Sequence, residues 1–272
     1  MIITSKTNSK VKLVKSLNEK KYRKLNNCFY LEGIKVVNEV LDLFLEKKIN
    51  IISIIYSNEI LSKTNGAKQI LTRIGTTENI EVLEFDSNIF NYVTDTVNSQ
   101  GILVIVSFEE KTLKNINLDN NIIVLDKIQD LGNLGSIIRS ADSFDFKNLI
   151  CLKGTADCYV PKVVRSTMCS ILRTNIIYVD NYEELKNFLK TNNYEILTTS
   201  LNANNRLPNI DKNNKIAVIL GNEANGVSKE CLDMADEIIR ISMNNKVDSL
   251  NVSSAASIIM HQIYCKNNNL DI

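Results

Sequence analysis

The chain has 272 residues, 44% of them hydrophobic, which suits one large or two small packed domains and excludes a disordered polymer. Its apolar runs are strand-sized, as in Ile216–Leu220, and its start is polar and lysine-rich, so a cytoplasmic protein with no membrane partner is the simplest expectation. With a formal net charge of +1, six cysteines without a CxxC pair and one histidine, His261, the composition argues against a polycation, a metal cluster and a Ser-His-Asp set.

Residues 9–25 read as helical, with Val11, Leu13, Val14 and Leu17 apolar among lysines. Lys6, Lys10, Lys12, Lys15, Lys20, Lys21, Arg23 and Lys24 are opposed there only by Glu19. Such a run can sit on phosphates, and it can equally be a solvated helix face. Cys28–Leu31 reads as a strand, Val36–Leu45 as a helix and Ile51–Tyr56 as a buried strand. Asn58–Gly75 suits a helix and a turn, and Ile80–Phe85 and Ile102–Phe108 read as strands. Residues 1–108 therefore make a small α/β domain. The stretch 109–119 is polar and charged and is the expected linker.

From residue 120 to 272 the alternation resumes as a second domain. Strands are expected at Asn121–Leu125, Leu149–Leu152, Ile176–Val179, Ile196–Ser200, Ile216–Leu220 and Glu237–Ile241. Helices are expected at Leu134–Ser143, Val160–Cys169, Tyr182–Thr191, Lys229–Ala235 and Val252–Tyr264. Short apolar strands separated by helices imply a mainly parallel sheet covered on both faces.

In such sheets ligands bind where strands end and loops begin. Three loops there carry unusual residues. The first is Asp126–Arg139, with Gly132 and Gly135 near Asn133 and with Arg139 six residues further on. Its plain reading is an N-cap Asn and a surface Arg. Asp126 and Asp130 can coordinate magnesium, yet no phosphate loop accompanies them. The second, Ile219–Ser228, ends a strand at Gly221 and carries Glu223; it matches neither GxGxxG nor a P-loop. The third, Ile239–Ser254, runs through Ser249-Leu250-Asn251 into a small-residue helix. A chemistry that needs neither a metal nor a strong base fits these loops, and methyl transfer from a sulfonium is one.

Taken in order, these loops resemble the three motifs of the SpoU/TrmH family of SPOUT methyltransferases. Motif one is the run Asn133–Phe144, motif two Leu220–Ser228, and motif three Ile241–Met243 followed by Ser249–Ser253. The match spans roughly residues 120–265. The Phe29–Gly33 run with Val36 and Val37 resembles the small ribosomal-protein-like substrate domain that often precedes it. The chain departs from the family where Leu131 precedes Gly132-Asn133 in place of a proline, and where Asp145 follows Phe144 in place of a glycine. Both departures bear on turn geometry.

The resemblance implies a parallel sheet with a deep trefoil knot, a homodimer, and S-adenosylmethionine bound by the knot loops. It implies cofactor contacts at Gly221, Ile241, Met243 and Leu250, with Thr199 and Ser200 beside the adenine. At Gly221, Ile241 and Leu250 those contacts run through the backbone, so the side chains are expected to tolerate change. Arg139 matches the arginine that engages the target phosphate and helps activate a ribose 2′-hydroxyl. Asn133 would position the ribose or that arginine, and Glu223, Ser249 and Asn251 would organise the site. Lys10, Lys12, Arg23 and Lys24 become candidate RNA contacts. Ribosomal RNA of the 23S type is the expected substrate, with transfer RNA as the alternative. A non-catalytic RNA-binding protein that keeps the fold is the second reading. A dehydrogenase or kinase suits the α/β alternation but lacks the phosphate fingerprint.

Overall fold

The computed structural model describes residues 2–119, 121–200, 203, 214–244 and 249–270. In chain order its first elements are β1 (Ile2–Ile3), α1 (Ser9–Ser16), α2 (Lys20–Asn26), β2 (Cys28–Glu32), α3 (Ile34–Leu45) and β3 (Ile51–Tyr56). Next come α4 (Asn58–Leu61), α5 (Ala67–Thr76), β4 (Glu81–Phe85), α6 (Ser87–Val93) and β5 (Ile102–Ser107). The second half has β6 (Ile122–Asp126), α7 (Leu131–Ser143), β7 (Asn148–Leu152), α8 (Pro161–Thr167), β8 (Asn175–Val179) and α9 (Tyr182–Thr191). It closes with β9 (Tyr194–Thr199), β10 (Lys215–Gly221), α10 (Lys229–Met234), β11 (Glu237–Ile239) and α11 (Val252–Asn268).

The chain divides into two compact units, residues 1–109 with 159–169, and residues 110–158 with 170–272. The first unit is a sheet of order β1-β4-β3-β5-β2, in which β5 runs antiparallel to both its neighbours. Ile102–Val106 of β5 are buried on both faces, so this all-apolar strand sits inside the sheet. Val11, Val14 and Leu17 of the first helical region pack on Leu103 and Ile105 together with Ile89, Phe90 and Val93 of α6. The segment 159–169 belongs to this unit through Tyr159, whose ring stacks on Phe108 at 4.5 Å and meets Phe29 at 5.0 Å.

The single helix expected over 9–25 is two, broken at residues 17–19. Arg23 explains part of the break, and its placement is a correction. Its side chain is only 3% exposed, and its Nη1 donates to the Leu17 carbonyl at 2.6 Å. That carbonyl closes α1, where backbone acceptors lack intrahelical partners. Arg23 therefore serves the fold and presents no face to RNA. Lys10 is ion-paired with Glu81 at 2.6 Å, while Lys12 and Lys24 are exposed.

The second unit is a six-stranded sheet of order β11-β9-β10-β6-β7-β8, with every neighbouring pair parallel. Ile122–Asp126 and Asn148–Leu152 are buried throughout. Such strands must be covered on both faces, and helices do this. One face holds Leu185 and Leu189 of α9 with Cys231 and Met234 of α10. The other holds α7 and α11, joined by Ser140 and Ser257 hydroxyls at 2.8 Å. The stretch expected as the linker contributes to this core: Leu113 and Ile116 are buried in it, and Lys111 bridges to Ile177. All six cysteines are buried, and none forms a disulfide.

One ion cluster ties α7 to the short helical turn at Ser170–Leu172. Arg173 donates to Asp142 through Nε at 2.8 Å and approaches it through Nη2 at 2.7 Å, with Lys147 at 3.5 Å. Burial by itself would push the Asp142 carboxyl up; hydrogen bonds from Arg173 and Ser170 and the charges of Arg173 and Lys147 outweigh it and hold it below its ordinary range. A carboxyl depressed in the folded state contributes stability that is present above its unfolded value and is lost as pH falls through the folded value. Wild type should therefore lose melting temperature more steeply than Asp142→Asn as pH drops below about 4. Parallel melting curves for the two proteins between pH 6 and pH 3 would remove this cluster as an acid-sensitive tie.

Candidate active site

The C-terminal ends of β6, β10, β9 and β11 lie side by side, so three loops far apart in sequence meet at one sheet edge. Register aligns Gly221 with Asp126, and Thr199 with Ile239.

Asp130, not Asn133, caps α7: its Oδ1 accepts from the Asn133 backbone N–H at 2.7 Å. This corrects the plain reading of Asn133 as the cap and leaves its side chain for other work. Asn133 Nδ2 donates to Glu223 Oε1 at 3.0 Å, and Asn133 Oδ1 accepts from Asn251 Nδ2 at 2.9 Å. Asn251 in turn caps α11, its Oδ1 accepting from the Ser253 N–H at 2.9 Å and the Ser253 hydroxyl at 2.6 Å. The amide orientations are over-determined. An ionised carboxylate can only accept, which fixes Asn133, and Ser253 N–H can only donate, which fixes Asn251 the same way. The result is a one-directional chain from α11 through α7 to the β10 loop.

That loop is closed tightly. Asn222 N donates to Gly226 O at 3.0 Å and Gly226 N returns a bond to Asn222 O at 2.9 Å. Asn222 Oδ1 accepts from Ala224 N at 2.9 Å and Asn225 N at 3.1 Å, while its Nδ2 reaches Lys127 O at 2.9 Å. Gly221 must be glycine for this shape. An added Cβ would lie 2.6 Å from the Gly226 carbonyl oxygen, and closer still to Gly226 C and Val227 N. The expectation that position 221 tolerates a side chain is thereby corrected.

Beneath the loop lies Asp126, only 1% exposed. It accepts from Ser228 N at 2.7 Å and from the Tyr182 hydroxyl at 3.2 Å. Its neighbour Lys127 is exposed, and electrostatic interaction with Tyr182 first and with the Asp126 carboxylate next holds its ammonium above the ordinary range. Burial, foremost, pushes the nearby Cys231 thiol up to about 12, so no thiolate is offered there. Among the described residues no three metal-ligating side chains come together.

Arg139 is exposed on α7, and its guanidinium pairs with no carboxylate among the described residues. Thr199 Oγ1 donates to Ile219 O at 3.2 Å and Ser200 N to Ile239 O at 3.0 Å, so both are tied to the sheet edge. Ile241 and Met243 are half-buried after β11; Ser249 and Leu250 are exposed before α11. Sequence reasoning passed over Asn222 as the loop's organiser, and it weighed Asp126 and Asp130 only as magnesium ligands, a reading it set aside, and not as the supports of these loops. The available signal for Asp126 was a lone carboxylate ending an apolar strand.

The family described as SpoU rRNA Methylase matches residues 120–261, and the MRM3-like substrate binding domain matches residues 8–104. The 23S rRNA (guanosine(2553)-2'-O)-methyltransferase RlmP of Bacillus subtilis (strain 168) is 30% identical over 269 residues, covering 96% of this chain and 98% of that protein. The crystal structure of an AdoMet-bound rRNA methyltransferase from Sinorhizobium meliloti aligns with a TM-score of 0.80 at 26% identity, covering 99% and 97% of the two chains. The cofactor complex of AviRb from Streptomyces viridochromogenes shares the fold, with a TM-score of 0.82 at 20% identity over 97% of this chain and 100% of that one. The joined motif loops and these likenesses converge: the chain belongs to the SpoU rRNA methylase family, with an MRM3-like substrate-binding domain ahead of its catalytic part.

Proposed function

We propose that this protein methylates a ribose 2′-hydroxyl of 23S-type ribosomal RNA, with S-adenosylmethionine as methyl donor. The observation that carries it is the hydrogen-bonded chain Asn251–Asn133–Glu223, which joins three motif loops on the helix that presents Arg139.

The sheet edge suits the cofactor. Strand ends at Thr199 and Gly221 offer backbone groups, and Leu250, 36% exposed, and half-buried Ile241 and Met243 offer apolar side chains. When bound, S-adenosylmethionine supplies a methyl group already activated on a sulfonium, which leaves the protein to position the acceptor and handle one proton. Arg139 holds the target phosphate, and its charge eases loss of the 2′-hydroxyl proton. Asn133, fixed from both sides, positions the ribose; Glu223, Ser249 and Asn251 keep the loops in place. Exposed Ser254, Ile258 and His261 line one stripe of α11, and with α7 this stripe forms the homodimer contact. The same reading gives the catalytic sheet a deep trefoil knot closed by α11, which packs beside α7. No helix among the described residues is long and apolar enough to cross a membrane, and the proposed place of action is the cytoplasm.

Purified protein with methyl-labelled S-adenosylmethionine should label 23S ribosomal RNA from cells lacking this gene. Label confined to transfer RNA would reassign the substrate, and RNA binding without cofactor binding would make the protein non-catalytic. Asn133→Ala removes both links of the chain and should slow transfer on the order of tenfold to a hundredfold. An unchanged initial rate for this variant would take the hydrogen-bonded chain out of the mechanism.

A further inference from the structure

Tyr92, at the end of α6 in the first unit, is 39% exposed. The Lys6 ammonium lies 4.3 Å from its ring centroid and the Lys15 ammonium 5.1 Å. The loop that follows is tied at two points: Thr96 Oγ1 donates to Glu32 Oε2 at 2.7 Å, and Gln100 Oε1 accepts from Ile34 N at 2.8 Å. Between these ties Val97 stands 96% exposed. A ring and a valine are thus held in water by anchored backbone, at a hydration cost that the fold does not recover.

The surrounding charge is mixed. Lys10 is paired with Glu81, and Lys15 lies 3.9 Å from Asp95. Lys6 and Lys12 pair with no carboxylate among the described residues. Two cations at one exposed aromatic ring, of which Lys6 pairs with no carboxylate among the described residues, match the needs of single-stranded nucleic acid. Unpaired bases stack on aromatic rings, and lysines hold the phosphates on either side. A duplex buries its base faces and cannot use such a ring.

We propose that Tyr92, flanked by Lys6 and Lys15, is a stacking platform for one unpaired base of the RNA substrate. The base displaces the ammonium groups from the ring, and these move onto the adjoining phosphates. The assignment rests on the RNA methyltransferase reading and adds to it a preference for RNA that offers an unpaired base, as in a loop or bulge.

The test uses full-length protein and three variants: Tyr92→Leu, which keeps apolar bulk without a π face, Tyr92→Phe, which keeps the ring, and the double change Lys6→Ala with Lys15→Ala. Each is measured for affinity to a single-stranded RNA oligonucleotide and to a perfect RNA duplex, and for kcat and KM on a 23S ribosomal RNA transcript. Tyr92→Leu should weaken single-strand binding roughly tenfold, with the loss appearing in KM more than in kcat, and Tyr92→Phe should stay close to wild type. The lysine pair should flatten the salt dependence of binding by one to two phosphate contacts, about 0.7 in log–log slope for each. The platform is overturned if Tyr92→Leu binds and turns over RNA as wild type does, or if wild type binds duplex as tightly as single strand. Normal binding of Tyr92→Leu to naked RNA with a defect only on ribosomal particles would also overturn it, in favour of a protein contact. Wild type that binds the single strand but transfers no methyl would sink the enzymatic reading and leave the platform standing.

Discussion

Arg139→Ala should cut methyl transfer to RNA by roughly a hundred- to a thousandfold, the cost of removing one preorganised charge from a developing oxyanion. The side chain is exposed on α7 and pairs with no carboxylate among the described residues, so its loss should leave the melting temperature almost unchanged. S-adenosylmethionine affinity should be retained as well, because the proposed cofactor contacts follow β9, β10 and β11 and not α7. Arg139→Lys keeps the charge but loses the planar fork, and should recover only part of the rate. Single-turnover transfer of labelled methyl, with calorimetry of cofactor binding on the same preparation, separates these outcomes. A variant that transfers at the wild-type rate would remove Arg139 from the chemistry.

Gly221→Ala should fail differently, through the loop and not through charge. The new methyl would meet backbone atoms of Gly226 and Val227, which cannot swing away as a side-chain end can. Making room means parting the paired bonds between Asn222 and Gly226, and these shape the turn that carries Glu223. Overpacking of this kind costs about 1–3 kcal/mol, which for a chain of this size lowers the melting temperature by several degrees. Cofactor affinity should drop by more than tenfold, and transfer should fall with it as Glu223 leaves Asn133. Asn222→Ala opens the same turn without a clash and should reproduce the cofactor defect with a smaller loss of stability. If Gly221→Ala melts normally and binds cofactor normally, the tight turn is not what shapes the pocket.

Much of this protein could be read from local pattern. Strands such as Ile51–Tyr56 and the helix Tyr182–Thr191 stand where expected, because each is a run whose own apolar spacing matches its burial. Ser87–Val93 went unread, and so did the strand Ile2–Ile3, whose two residues carry no period. Gly66, in a left-handed conformation at φ 90°, starts a new helix where one was expected over Asn58–Gly75.

The sequence by itself determined that three polar loops follow apolar strands in the second unit, and it named Asn133, Arg139, Glu223 and Asn251 as the residues to watch. Only the tertiary structure decided what three of them do to one another. Asn133 reaches Glu223 across 90 residues and Asn251 across 118, distances over which local propensity carries no information. Those meetings depend on the strand order β11-β9-β10-β6, which brings loop ends together at one edge. The same cause moved Arg23 from an expected RNA contact to a buried tie on Leu17, and drew residues 159–169 into the first unit. Charge and helical spacing describe what a side chain can do; packing of distant segments decides which partner it meets.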